Sequence, residues 1–132
     1  ITMNECCFKF WDQLTNDKNE WISHMNTNSI GQLGLIIQRG SSIYRRFELR
    51  DKYLNFLKKI QLNNDYITAV IPFRTHYWLI KSLAEKFYIY SIETDTCILS
   101  TFDFPFGLQE YGKNSIVIGM QERKLVICDI LF

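Results

Sequence analysis

The segment FYIYSI, at residues 87–92, is the most informative part of the sequence, because a segment of the same kind, LVICDI, follows it 38 positions later at residues 125–130. The same shift lays Leu79-Ile80 on Val117-Ile118 without a gap. Short runs rich in Ile, Val, Tyr and Phe are typical of β-strands. A match of this length therefore predicts a repeated β-unit, although two adjacent hairpins of unrelated origin can also look alike.

Six runs of this kind follow one another in the second half of the chain, separated by turn-prone groups. They cover residues 66–73, 78–84, 87–93, 97–104, 115–120 and 124–131. The shift of 38 lies close to the ~40–45 residues of a WD-repeat blade, which contains four strands. We therefore expect residues 66–132 to form an antiparallel β-meander of two propeller-like blades.

The first half of the chain, residues 1–65, carries a different pattern. Apolar residues recur at roughly helical spacing over residues 4–25, with one interruption at Thr15-Asn16-Asp17 that resembles a helix cap. Apolar residues also share one face of an amphipathic helix predicted over residues 42–60, and residues 26–41 are expected to form an irregular connection. The predicted fold is α+β, with N-terminal helices over 1–65 followed by β-blades over 66–132.

Composition limits the classes of protein to which the chain can belong. Its 132 residues are 47% hydrophobic, which favours a globular domain. The net charge of +1 is too small to indicate an anionic membrane or nucleic acid as a partner. No run of about 18 apolar residues is present, so a membrane partner is not expected. The four cysteines lack metal-site spacing and are expected to be free thiols in the cytoplasm or nucleus.

No catalytic motif is present in the sequence. His24 and His76 lie outside any H-E-x-x-H arrangement, and Gly31 and Gly34 lack the further residues of a phosphate-binding loop. The acidic residues are dispersed rather than paired. We therefore expect no enzymatic activity, no cofactor, no metal and no small-molecule substrate.

Several motifs together resemble the F-box/WD-repeat family. The segment CFKFWDQLTND at residues 7–17, followed by Trp21, is similar to the second half of an F-box. The helix predicted over residues 42–60 is similar to the linker that joins the F-box to the propeller. Tyr90-Ser91 and Cys128-Asp129 stand where the family has Trp-Asp at the end of a strand.

This resemblance implies a function as well as a fold. The chain would be part of a substrate receptor of an SCF-type ubiquitin ligase, which brings a target protein to the enzyme. The side chains expected to contact the Skp-type adaptor are Phe8, Trp11, Leu14 and Trp21. Two alternatives stay open: a propeller scaffold without a ligase link, and a small α+β subunit of a large assembly.

A second group of residues is a candidate for binding the partner protein. Arg74, His76, Tyr77 and Trp78 lie near a predicted strand-to-strand turn, and Trp, Tyr and Arg dominate binding hot spots. The alternative is that these aromatic side chains pack between blades.

The basic segment 42–60 has a further alternative, which is contact with the phosphates of nucleic acid. Its basic residues are interrupted by Glu48 and Asp51. Mixed charge of this kind is typical of a solvated surface, so nucleic acid is not expected as a partner.

Overall fold

The structure, a computed structural model, describes residues 15, 17–60, 62, 66–82, 87–99, 107–120 and 123–129. These residues form eleven β-strands in three antiparallel sheets, and they contain no helix. Sheet 1 consists of β1 (Glu20–Thr27), β2 (Leu33–Arg39), β3 (Arg45–Arg50) and β4 (Phe56–Ile60). Sheet 2 consists of β5 (Ile67–Phe73), β6 (Tyr77–Ser82), β7 (Tyr88–Ser91) and β8 (Thr96–Leu99). Sheet 3 consists of β9 (Gly107–Tyr111), β10 (Ser115–Met120) and β11 (Lys124–Asp129).

The predicted α+β class is wrong, because the described part of the chain is all-β. Residues 20–25, expected in a helix, lie in β1, and the expected connection 26–41 contains β2. The expected helix 42–60 is the hairpin of β3 and β4. The earlier part of the first predicted helix, residues 4–14, lies outside the described residues.

The sequence of β3 explains why a strand forms where a helix was predicted. Phe47 and Leu49 are buried in the core, whereas the alternating residues Arg46 and Glu48 lie on the other face, which is the two-residue period of a strand. The chain then reverses through a turn in which the Asp51 carboxylate accepts hydrogen bonds from backbone N–H groups two and four residues later, both 2.9 Å long. The apolar residues whose spacing suggested one helix therefore lie on two different strands, β3 and β4.

Each sheet is a meander whose strands are joined in sequence order. β10 occupies residues that lie 38 positions after those of β6, and β9 ends 38 positions after the end of β5. β9 was not among the predicted strand runs, since its sequence GLQEY has few β-branched residues.

Sheet 2 lies between the other two sheets and has both faces covered. β5, its first strand, contacts β1, β2 and β3 of sheet 1 and β9 of sheet 3. One core fills the space between sheets 1 and 2, and its largest buried side chains are Phe47, Trp78 and Tyr90. A second core fills the space between sheets 2 and 3.

Candidate functional site

Arg74, a predicted partner-binding residue, connects sheets 2 and 3. It lies in the β5–β6 turn with a positive φ of 53°, and its guanidinium group is 5.2 Å from the ring centroid of Phe73. Its Nη2 donates to Asn114 Oδ1 at 3.0 Å and its Nε to the Lys113 carbonyl at 3.3 Å, both in the β9–β10 turn. Its backbone N–H donates to Glu110 Oε2 at 3.1 Å. These contacts give Arg74 a structural role at this end of the sheets.

His76 and Tyr77 follow Arg74 and are less constrained. His76 Nε2 lies 3.4 Å from Glu93 Oε1, and both side chains are largely exposed. Tyr77 is half-buried, with its ring centroid 6.5 Å from that of Phe73. The structure therefore brings Arg74, His76 and Tyr77 to one end of sheet 2, although Tyr77 also contributes to the core.

Trp78 does not belong to this surface, contrary to the predicted binding role. Its side chain is fully buried between sheets 1 and 2, with an edge-to-face contact to Phe47 at 5.7 Å between ring centroids. The ring also lies so close to Gly34 that a Cβ there would come within 2.9 Å of Trp78 Cη2. Side chains on β6 alternate between the two faces of sheet 2, and that of Trp78 points toward sheet 1.

Of the predicted adaptor-binding residues, only Trp21 is described. Phe8, Trp11 and Leu14 lie outside the described residues. Trp21 is on β1, with 47% of the residue exposed, and its Nε1 donates to the Gly40 carbonyl at 3.0 Å. The side chain is thus available to a partner, but from a strand and beside the β2–β3 turn.

A cavity of about 190 Å³ lies at the end of sheet 1 that carries this turn. We call it the basic pocket. Its walls come from the start of β1, the end of β2, the start of β3 and the end of β4. The lining residues are Glu20, Ile37, Arg39, Tyr44, Arg45, Arg46, Lys59 and Ile60.

Local turn chemistry positions the residues at the mouth of the pocket. Gly40 adopts a positive φ of 57°, and the Ser42 N–H donates to the Arg39 carbonyl at 3.1 Å. The Ser42 hydroxyl in turn accepts from the Tyr44 N–H at 3.1 Å. This tight reversal places Arg39 and Tyr44 on adjacent strand ends.

Arg46 forms the floor of the pocket and is fully paired. Its Nη2 lies 2.5 Å from Glu20 Oε2 and its Nε 3.2 Å from Glu48 Oε2. Burial by itself would lower the pKa of Arg46, but the hydrogen bond and charge of Glu20, helped by Glu48, outweigh it and raise that pKa. Glu48 also binds the buried Arg50 at 2.7 Å, so this charge network is internally satisfied.

Two other cations of the pocket have no carboxylate partner among the described contacts. Arg45 donates to neutral acceptors, with its Nε 3.1 Å from Gln38 Oε1 and its Nη1 2.8 Å from the Ile67 carbonyl. Lys59 is exposed and forms no ion pair with a described residue. At the rim, Arg39 pairs with Asp17 at 2.7 Å while its side chain stays 70% exposed. The pocket therefore presents positive charge to solvent.

Exposed apolar and aromatic groups border this charge. Tyr44 is 56% exposed, and its ring centroid lies 5.0 Å from that of Tyr66, with 3.1 Å between the two hydroxyl oxygens. The hydrogen bond between the two hydroxyl groups raises the pKa of Tyr66. Ile43, beside them in the turn, is 51% exposed. Charge, a phenol pair and an aliphatic side chain thus meet at one surface.

A second cavity, of about 200 Å³, lies between β4 and the β7–β8 hairpin. There the Tyr90 hydroxyl donates to Asp95 Oδ1 at 2.8 Å, and Lys58 pairs with the same carboxylate. Partial desolvation of the Cys97 thiol raises its pKa to about 11, so the sulfur is protonated near neutral pH and is a poor nucleophile. This arrangement is a satisfied polar network rather than a catalytic one.

Within the described ranges, no group of three or more His, Cys, Asp or Glu side chains is placed to hold a metal ion. The same part of the chain contains no helix long and apolar enough to span a membrane.

Sequence reasoning identified some components of the basic pocket without predicting the pocket itself. Tyr44, Arg45 and Arg46 were noted as part of a basic aromatic segment, but on a helix. Lys59 belongs to the same segment, whereas Glu20 comes from β1, which precedes it. No sequence pattern connects Glu20 to the other residues. The alternation of Arg46, Phe47 and Glu48 was the one available signal for a strand.

No protein-family model matches this chain, and no curated protein shows significant sequence similarity to it. The evidence for function is therefore the geometry of the sites described above.

Proposed function

We propose that this chain is a protein-interaction module that binds an acidic segment of a partner protein at the basic pocket. The observation that carries this proposal is that Arg45 and Lys59 line a cavity without a carboxylate partner of their own in the described contacts. A carboxylate from a partner would supply charge-assisted hydrogen bonds to these groups. The exposed Tyr44 and Trp21 nearby are residue types that dominate protein-binding hot spots.

The size of the pocket favours a partner's side chain over a free small molecule. Its volume of about 190 Å³ is below the roughly 300–1,000 Å³ typical of small-molecule sites. One or two side chains of a bound segment fit such a space, and the rest of the segment would lie across the exposed turn at Ile43 and Tyr44. This geometry suits recognition of a surface segment.

The pocket is also held rigidly, which favours binding. Arg45 is fixed by its bond to the Ile67 carbonyl, in the first strand of sheet 2, and by Gln38. Less side-chain entropy is lost on binding when the contacting groups are already ordered. The surface at Arg74 is rigid as well, but its guanidinium group already binds two acceptors of its own chain.

Fluorescence anisotropy with a labelled peptide of alternating Glu and Tyr residues tests the proposal. We expect saturable binding that weakens with salt, and a Lys59→Glu variant that binds at least about tenfold more weakly, which corresponds to about 1.4 kcal/mol. The matched control is Lys52→Glu, because Lys52 is an exposed lysine in the turn at the opposite end of β3. Equal loss of binding in both variants would indicate a general charge effect and contradict a specific pocket.

Nucleic acid is the competing ligand for a basic surface with aromatic residues. A filter-binding assay with a labelled single-stranded oligonucleotide at low salt, and competition of that oligonucleotide with the peptide, separates the two. Retention of the oligonucleotide with tighter affinity than the peptide would replace the protein-binding proposal.

The wider context of this module stays a prediction. The arrangement of three meander sheets in contact through their first strands supports a propeller-like array, and thereby a scaffold. Membership of an SCF-type ubiquitin ligase rests on the resemblance alone, and Trp21, one of its expected adaptor contacts, lies on a strand rather than a helix. The free thiols of Cys97 and Cys128 are consistent with the proposed cytoplasmic or nuclear location.

A pull-down with purified Skp-type adaptor separates the two contexts. Stoichiometric binding, lost on Trp21→Ala, would support the substrate-receptor function. A folded chain that binds the acidic peptide but not the adaptor would support the scaffold.

A further inference from the structure

The two cavities described above are neighbours on the surface of the protein. Lys59 and Ile60, at the end of β4, line both of them. The basic pocket lies at one end of sheet 1, and the second cavity lies between β4 and the β7–β8 hairpin of sheet 2. Ile60 is buried and Lys59 is exposed. A segment that passes from one cavity to the other therefore crosses the Lys59 side chain.

The second cavity contains an ion pair that is open to solvent. Lys58 pairs with Asp95, and the two side chains are 40% and 56% exposed. The Tyr90 hydroxyl donates to the other carboxylate oxygen of Asp95 at 2.8 Å. The remaining walls are Lys59, Ile60 and Cys97. Apart from the shared Lys59, the cavity thus presents a positive and a negative group together, whereas the basic pocket presents positive charge.

Both members of this ion pair have hydrogen-bonding capacity left over. An ammonium group has three N–H donors, and Asp95 is the described acceptor for Lys58. A carboxylate can accept about four hydrogen bonds, and Asp95 accepts from Lys58 and Tyr90. A ligand in this cavity can therefore accept a hydrogen bond from Lys58 and donate one to Asp95.

A side-chain amide satisfies both groups at once. Its C=O accepts, its NH₂ donates, and it carries no charge. A carboxylate in the same place would lie beside Asp95, and a cationic side chain would lie beside Lys58, so each would meet a like charge. The second cavity therefore favours Asn or Gln over a charged side chain.

We propose that the acidic segment bound at the basic pocket continues over Lys59 and places the side-chain amide of an Asn or Gln residue between Lys58 and Asp95. This second contact rests on the proposed function and extends the sequence that the module recognises. In an extended segment, residues two positions apart point to the same side and lie about 7 Å from each other. Because the cavities share two wall residues, we expect one residue between the acidic residue and the amide residue.

Fluorescence anisotropy with two labelled peptides tests this contact. One peptide repeats Glu-Ala-Gln-Ala and the other repeats Glu-Ala-Leu-Ala, so their charge and spacing are the same. We expect the Gln peptide to bind about tenfold more tightly, because hydrogen bonds to charged groups are stronger than those between neutral groups. Lys58→Met should abolish this preference, whereas the control Lys52→Met, in the turn between β3 and β4, should keep it. Circular dichroism checks that both variants keep their fold.

Cys97 provides an independent readout, because it lines the second cavity. In a background with Cys6, Cys7 and Cys128 changed to Ser, the Gln peptide at about ten times its Kd should slow alkylation of Cys97 by a maleimide about tenfold, since only the unbound chains react. The control retains Cys128, on β11, and carries Cys97→Ser instead. Its alkylation rate should not change when the peptide is added.

The results separate the second contact from the proposed function. Equal binding of the two peptides, still weakened by Lys59→Glu, would overturn the second contact and leave the basic pocket as the binding site. A preference for the Gln peptide without protection of Cys97 would place the amide elsewhere and overturn it as well. Absence of binding by either peptide would overturn both proposals.

Discussion

Sheets 2 and 3 share one repeat but have different surroundings. Phe87 and Leu79 on sheet 2 are at most 2% exposed, because sheet 3 covers them. The residues 38 positions later, Leu125 and Val117, project from the outer face of sheet 3, where Leu125 is 76% exposed. An apolar pattern thus specifies a strand and its faces, while the neighbouring sheet determines whether a face becomes core or surface.

The largest expected effect comes from the core between sheets 1 and 2. Trp78→Ala removes a fully buried side chain and leaves a cavity against Phe47 and Gly34, so we expect a loss of about 3–5 kcal/mol in the free energy of unfolding. Urea denaturation followed by circular dichroism measures it. A loss below about 1 kcal/mol would mean that the side chain is on a surface, as the sequence had suggested.

Substitution of a glycine on sheet 1 should destabilise the protein less than Trp78→Ala does, and substitution of a glycine on sheet 3 should have still less effect. Gly34→Ala would place a Cβ 2.9 Å from Trp78 Cη2 and 3.2 Å from Phe47 Cε1, both in a packed core. We expect it to destabilise the protein by about 1–3 kcal/mol. Gly107→Ala on sheet 3 is the matched control, because nothing lies within 4 Å of its Cβ. Equal effects of the two substitutions on the urea midpoint would contradict the difference between the sheets.

The stability of the protein should also depend on pH through Tyr90, which lies in the core between sheets 1 and 2. Burial, with the hydrogen bond to Asp95, raises the pKa of Tyr90 above its usual value near 10. A raised pKa contributes stability that is present below the unfolded-state value and is lost as pH rises toward the folded-state value. The urea midpoint should therefore fall as pH rises above about 10, and Tyr90→Phe should fall less steeply. An unchanged slope in Tyr90→Phe would assign the effect to other tyrosines, such as Tyr88, whose pKa is raised by burial too.

The sequence predicted the strands of sheet 2, β10 and β11, since these runs are short, rich in β-branched residues and repeated. It failed for sheet 1, because apolar residues of β3 and β4 happen to fall at helical spacing across the turn at Asp51. The period of two along β3, which places Phe47 and Glu48 on opposite faces of the strand, was present but extended over fewer residues than the helical pattern. A hairpin of two short strands offers too few periods for its spacing to be distinguished from that of a helix.

The candidate site was predictable only in part. Tyr44, Arg45 and Arg46 are adjacent in sequence, so their basic and aromatic character was visible. Lys59 lies in the same basic segment, but Glu20 joins these residues only because four strand ends meet, and that depends on strand pairing between distant residues. Trp78 was a candidate for a binding surface because a turn lies near it, but the alternative, packing of its side chain between sheets, is the one that the structure shows.

The substitution with the least expected effect on stability tests whether the outer face of sheet 3 is exposed while the equivalent face of sheet 2 is buried. Leu125→Ala should change the free energy of unfolding by less than about 0.5 kcal/mol, because substitutions at exposed positions usually stay within that limit. Phe87→Ala, at the equivalent position of sheet 2, should cost about 3–5 kcal/mol. Both are measured by urea denaturation followed by circular dichroism. If Leu125→Ala were as costly as Phe87→Ala, the outer face of sheet 3 at Leu125 would be covered in the folded protein, contrary to its 76% exposure.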